Sequence, residues 1–218
     1  MKKREKKRGR KILWIAISSL FAFVLWTVAI SFIDVREIGQ QGSKVGFATV
    51  NDFVHNIIGE HLYLYTLTDI LSVLPLCFVL GYALLGLVQW IKRKSFFKVD
   101  RSILALGVFY IAVMAIYVFF EIVVVNYRPV LIDGVLEVSY PSSTTVLVIC
   151  VMISAVMQTN IRIKNRMFRR CTGVLMIAFT SFMVIARLIS GVHWFTDIIG
   201  GILLSIGLVM TYYYFIST

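Results

Sequence analysis

The stretch 102–125, SILALGVFYIAVMAIYVFFEIVVV, holds twenty-four residues and one charge, Glu121. As a helix it would be about 36 Å long at 1.5 Å per residue, enough to cross a hydrocarbon core about 30 Å thick. It has no polar face to turn toward water, so its surroundings must be protein or lipid. Five further stretches read the same way: 12–33, 62–91, 143–160, 171–190 and 198–217. The whole chain agrees, with 59% hydrophobic and 15% charged residues and a mean hydropathy of +0.87. A soluble domain is nearer 45–50% apolar and about 25% charged. Soluble globular enzymes and disordered chains are therefore excluded, and the expected fold class is all-α, a polytopic six-helix transmembrane bundle.

Charge orients the spans. The segments 1–11, 92–101 and 161–170 hold eighteen of the twenty-two Lys and Arg, but only two of the eleven acids, Glu5 and Asp100. By the positive-inside rule these three segments face the cytoplasm, both termini lie inside and the chain is a multi-pass cell-membrane protein. The net charge of +11 is thus a topology signal, and no nucleic-acid partner is expected. Trp14, Trp90 and Tyr212 to Tyr214 fall at the inner interface, and Tyr127, Tyr140 and Trp194 at the outer one, as in an aromatic belt. Cys77, Cys150 and Cys171 are odd in number and lack metal-ligand spacing, so no disulfide framework follows.

The expected organisation is a basic cytoplasmic N-terminus (1–11), a first anchor (12–33), an extracytoplasmic loop (34–61) and a five-helix membrane core (62–218). In the loop, Val50, Phe53, Val54, Ile57, Ile58 and Leu62 recur at helical spacing. They predict a short amphipathic helix over roughly 49–61, lying on the outer leaflet and covering the bundle. The second span is long and carries Asp69 and Pro75, which predict a tilt, a kink or a start within the interface.

Chemistry is confined to a few residues at the outer ends of spans. Arg128 follows span three in NYRPV, and Arg187 ends span five in ARLISGVHWFTD. One arginine there could snorkel to the surface. Two on one membrane face point to an anion site, since guanidinium forks match phosphate oxygens. His193 and Asp197, spaced i, i+4, share the first turn of span six. A carboxylate so placed can hold an imidazole in one tautomer, and it can equally cap the helix. Tyr140-Pro141-Ser142-Ser143-Thr144 opens span four. Ser142 and nearby backbone N–H groups at that helix start could cap the helix or cradle an anion. Pro129 and Pro141 bracket the connecting loop and stiffen it. Beyond this cluster the spans offer little polar pathway, and no inverted repeat is evident, which argues against a transporter.

These residues resemble the type 2 phosphatidic acid phosphatase (PAP2) superfamily, whose pattern is K-x6-R-P, then P-S-G-H, then S-R-x5-H-x3-D. Arg128-Pro129 match the end of the first motif and Pro141-Ser142 the start of the second. Arg187, His193 and Asp197 match the third at unbroken spacing. The resemblance covers roughly 60–217 and implies a six-helix bundle with an extracytoplasmic active site. It implies that His193 attacks phosphorus to form a phosphohistidine and that Asp197 orients it. It implies that Arg128, Arg187, Ser142 and the Ser143 backbone bind phosphate oxygens, with no metal or other cofactor. The implied partner is a phosphorylated lipid in the bilayer.

The sequence departs from the pattern at three positions. Glu121 stands at the first-motif lysine, Thr144 at the second-motif histidine and Ala186 at the third-motif serine. By family analogy the missing histidine is the general acid, and threonine cannot replace it. Loss of such a group costs ~10²–10⁴-fold in rate. The cost shrinks for a weakly basic leaving group, so a lipid diphosphate such as a polyprenyl diphosphate is expected to be preferred over a monophosphate. Glu121, His55 and His61 are candidates for a replacement acid. Their plainer roles are preferred: Glu121 as an arginine's counterion, the histidines as interfacial residues. Two functions follow, a slow lipid phosphatase or diphosphatase, and a relative that binds phosphorylated lipid without turnover. The retained His193–Asp197 pair favours the first, Thr144 and Glu121 the second.

Overall fold

A computed structural model describes residues 2–217, with side chains over 7–217. Among the described residues, eight α-helices form in chain order: α1 (Lys2–Phe32), α2 (Ala48–Ile58), α3 (Leu62–Leu71), α4 (Val73–Arg93), α5 (Arg101–Ile122), α6 (Ser143–Arg162), α7 (Arg166–Ile189) and α8 (Phe195–Ser217). Six helical stretches of the described residues are long and apolar enough to cross a bilayer, with α3 and α4 together making one, Leu62–Arg93. The chain is an all-α, multi-pass membrane protein.

The predicted kink is a break at Ser72, between α3 and α4. Pro75 has no N–H for the carbonyl of Leu71, and its ring crowds that carbonyl. The Ser72 N–H turns back to Thr68 and Asp69 instead. The spans α4, α6 and α7 stop where the sequence becomes polar, at Arg93, Arg162 and just before Ser190. The start of α7 is capped by Asn165, whose side chain accepts from the Phe168 N–H, satisfying one of the helix's orphan donors.

The centre of the bundle is α6, packed against α4, α5, α7 and α8. Its Val148, Cys150, Val151, Met152 and Ala155 are buried. The first anchor, α1, lies along α8, where Gly207 leaves no room for a Cβ beside Leu20. Close backbone approach of this kind lets helices pack where lipid removes the hydrophobic drive between them.

The spans are more polar inside than expected. Ser154, Gln158 and Ser205 are fully buried, with Thr159 and Tyr212 beside them. Gln158 donates to the Tyr212 hydroxyl and accepts from Arg162, and Tyr110 pairs with Ser154 at 3.0 Å. Residues spaced along one face of α6 meet polar residues of α5 and α8, a pairing that hydropathy averaged along each span hides. At the end carrying the basic loops, Asp100 accepts from Gln89, Arg93 and Arg162. The Arg93 hydrogen bond, above all, keeps its carboxyl below the usual range. This carboxylate ties α4, α5 and α6 together.

The amphipathic helix forms as α2. Asn51 is buried against the start of α8, donating to Thr196 Oγ1 and accepting from the Thr196 N–H. Val50, Phe53 and Ile57 instead stay exposed. So the bundle is covered by the face around Ala48, Asn51 and His55, and the apolar stripe points away from it.

Candidate functional site

The connection 123–142 between α5 and α6 carries half of the site. It is a short hairpin rather than an open loop. Asp133 and Gly134 both take positive φ, +50° and +77°, the type I′ turn that Asp-Gly favours. Ile132 and Val135 pair across it. Further out, Tyr127 pairs with Val138, Arg128 N donates to Glu137 O and Ser139 N to Asn126 O. Side chains alternate along a strand, so Asn126 and Arg128 share a face with Glu137 and Ser139. Val130 and Ile132 pack on Val192, which seats this face beside His193.

The other half is the link 190–194 between α7 and α8. Gly191 takes φ +70°, and a Cβ there would lie 2.1 Å from the Gly59 carbonyl oxygen. Only glycine fits, and the tight turn brings His193 in from the end of α7. Asp197 caps α8 by accepting from the Trp194 N–H at 3.0 Å. It also accepts from Asn126 Nδ2 at 3.0 Å and from the Ser139 hydroxyl at 2.5 Å. Capping and charge placement are thus combined in one carboxylate.

His193 does not touch Asp197 directly, as the i, i+4 spacing suggested. The nearest atoms, Nδ1 and Oδ2, are 4.0 Å apart, and Ser139 Oγ stands between them, 3.0 Å from Nδ1. His193 Nε2 is buried and has no hydrogen-bond partner among the described residues. Burial, then the charges of Arg187 and Arg128, hold the imidazole well below the usual histidine range. At neutral pH it is therefore uncharged, with a lone pair available on one nitrogen.

Both arginines are buried and face the ring of Tyr65, with Arg187 4.6 Å and Arg128 5.5 Å from its centroid. Arg187 Nη1 donates to Thr68 Oγ1. Arg128 Nη2 pairs with Glu137 at 3.1 Å. Three of their nitrogens, Arg187 Nε and Arg128 Nε and Nη1, find no acceptor among the described residues. Buried donors in that number, on two like charges, suit an anion with several acceptor oxygens.

The remaining sequence candidates divide. Ser142 is buried, its N–H donating to the Asp197 carbonyl and its Oγ accepting from Thr145. The first-turn N–H groups of α6, from Ser143 on, have no acceptor within the helix. Ser143, Thr144, Glu121 and Arg128 line a cavity of about 680 Å³ between α4, α5 and α6. Glu121 is not the arginine counterion; that partner is Glu137, its cross-strand neighbour. His55 packs on the Trp194 ring beside Glu60, and His61 bonds the Ile58 carbonyl. Neither lines the cavity, and nor do Ser142, Arg187, His193 or Asp197. Tyr140 and Trp194 are not belt residues but buried ones. Tyr140 stacks on Phe23, bonds Thr27 and fills the slot left by Gly200. The Trp194 indole donates to the Tyr127 carbonyl.

Residues 123–218, which hold Arg128, Ser142, Arg187, His193 and Asp197, match the family model of the PAP2 superfamily. The fold is similar to that of a transmembrane PAP2-type phosphatidylglycerolphosphate phosphatase from Bacillus subtilis, with a TM-score of 0.58 and 16% identity. That likeness covers 92% of this chain and 94% of the other. No curated protein matches the chain.

Proposed function

We propose that this chain is a PAP2-type lipid phosphatase or diphosphatase working at the extracytoplasmic face through a phosphohistidine. The observation that carries the reading is the state of His193. Its Nδ1 is tied to Ser139, its Nε2 has no protein partner, and two buried guanidinium groups lie within electrostatic reach. Nε2 attacks phosphorus and the bond to the leaving oxygen breaks. Arg128, Arg187, Ser142 and the Ser143 N–H hold the other phosphoryl oxygens as charge builds on them. Water then cleaves the N–P bond, releasing phosphate and restoring the imidazole.

Thr144 lines the cavity where the family pattern has histidine. No proton is supplied from that position, so the leaving group must depart as a weak base. A diphosphate ester meets this need, because it expels a phosphate oxygen rather than an alkoxide. The substrate is accordingly a lipid diphosphate, of which a polyprenyl diphosphate is the type. The same Thr144 also supports a second reading, in which phosphorylated lipid binds and is not turned over.

Phosphate release in detergent separates the two readings, with a polyprenyl diphosphate and phosphatidic acid as substrates and His193→Ala as the blank. Release above the blank, faster on the diphosphate, is expected. Release equal to the blank on both lipids leaves only the binding role.

A further inference from the structure

We propose that Ser139 is a positioning residue that transmits the charge of Asp197 to His193 through its hydroxyl. The inference rests on the phosphohistidine reading of the site and assigns a role to a residue outside the three motifs.

The argument is one of proton counting. At 4.0 Å, Asp197 Oδ2 and His193 Nδ1 are too far apart to share a hydrogen bond. Ser139 Oγ is within reach of both, at 2.5 Å and 3.0 Å. A hydroxyl has one proton to give, and a carboxylate can only accept. The Ser139 proton therefore points at Asp197, and the Ser139 lone pair accepts from Nδ1–H. The opposite arrangement, with the proton on Nε2, would make Ser139 donate to Nδ1 and leave two oxygens at 2.5 Å with no proton between them. The chain Nδ1–H to Oγ–H to carboxylate thus fixes the tautomer that leaves the Nε2 lone pair available.

During phosphoryl transfer the Nε2 lone pair forms the N–P bond and the P–O bond electrons leave with the departing oxygen. The Nδ1 proton stays in place. The positive charge that grows on the ring is met by the aligned hydroxyl and by Asp197 behind it, so no proton need move along the chain. Asp197 keeps its place through Asn126 Nδ2 and the Trp194 N–H, which leaves Ser139 as the link to the imidazole.

The test uses the full-length protein in detergent with ¹⁵N-labelled histidine, and variants Ser139→Ala, Ser139→Thr, Asp197→Asn and Ser139→Ala with Asp197→Asn. In the unmodified protein the His193 ring should be in the Nδ1–H tautomer, read without any turnover. On a polyprenyl diphosphate, Ser139→Ala should lower kcat about 10- to 100-fold, the scale of one hydrogen bond to a charged group, with KM little changed. Ser139→Thr, which keeps the hydroxyl, should restore most of it. Asp197→Asn should cost much less when Ser139 is already Ala. An Nε2–H tautomer in the unmodified protein overturns the proposal even if Ser139→Ala fails to fold. So does Ser139→Ala with full kcat. An Nδ1–H ring in a protein without turnover supports the bridge and counts only against the enzymatic reading.

Discussion

The Arg187 guanidinium lies 4.6 Å from the centroid of the Tyr65 ring, and the second buried arginine, Arg128, faces the same ring. One aromatic ring thus steadies two like charges that would otherwise repel each other. Cation–π contacts are worth about 0.5–2 kcal/mol each. Tyr65→Leu should raise KM for a phosphorylated lipid roughly 3- to 30-fold on that scale, with a smaller change in kcat. Tyr65→Phe keeps the ring and should stay near the parent value. Steady-state kinetics on both variants check the effect, and a KM unmoved by Tyr65→Leu would contradict it.

Gly191→Ala should damage the protein through the backbone. The residue has φ +70°, and a Cβ would lie against the Gly59 carbonyl. Strain of this kind costs about 1–3 kcal/mol, and relief would displace His193 two residues on. A lowered Tm in detergent and a loss of phosphate release are expected together. Gly81→Ala, on α4 with open space around the new methyl, should leave both unchanged.

The pH response of His193 has a definite sign. Its folded-state pKa is lowered by burial and by the two arginines, so below about pH 6.5 the unfolded chain binds a proton that the folded one does not. This group's contribution to stability is present above that pH and is lost as pH falls toward the folded value. Histidine NMR should find His193 still neutral well below pH 6.5. Arg128→Gln removes one of the opposing charges and should move its titration upward. A His193 that titrates near 6.5 in the parent protein would refute this description.

Thr144→His restores the group that the family pattern has at the cavity wall. If position 144 faces the leaving oxygen, turnover of a monoester such as phosphatidic acid should rise by about 10²-fold or more, with a lesser gain on a polyprenyl diphosphate. No gain on the monoester would mean that position 144 does not face the leaving oxygen.

Legibility in the sequence follows the range of the interactions. The six spans and the break before Pro75 depend on local hydropathy and on one missing N–H, and both were readable. The short helix α2 was readable from its period, but not which side faces the bundle, because Asn51 docks through Thr196, far along the chain. The hairpin left a signal in Asp133-Gly134. Its register did not follow from that turn, which continued regularly would set Arg128 opposite Ser139. Pro129, with no N–H for the ladder, interrupts the pairing, and Arg128 faces Glu137 instead. For this reason Glu121 looked like the counterion. Asn126, Ser139 and Tyr65 belong to no motif or spacing that marks them in the sequence. Only their meeting with Asp197, His193 and the arginines gives them a place in the site.

The most direct measurement is the capture of the covalent intermediate. Protein in detergent is mixed with a polyprenyl diphosphate, quenched in base during turnover, digested and analysed by mass spectrometry. The expected result is one phosphoryl group on the peptide carrying His193, absent when substrate is withheld. Phosphate release with no phosphoryl group at His193, or release by His193→Ala at the parent rate, would contradict the assignment.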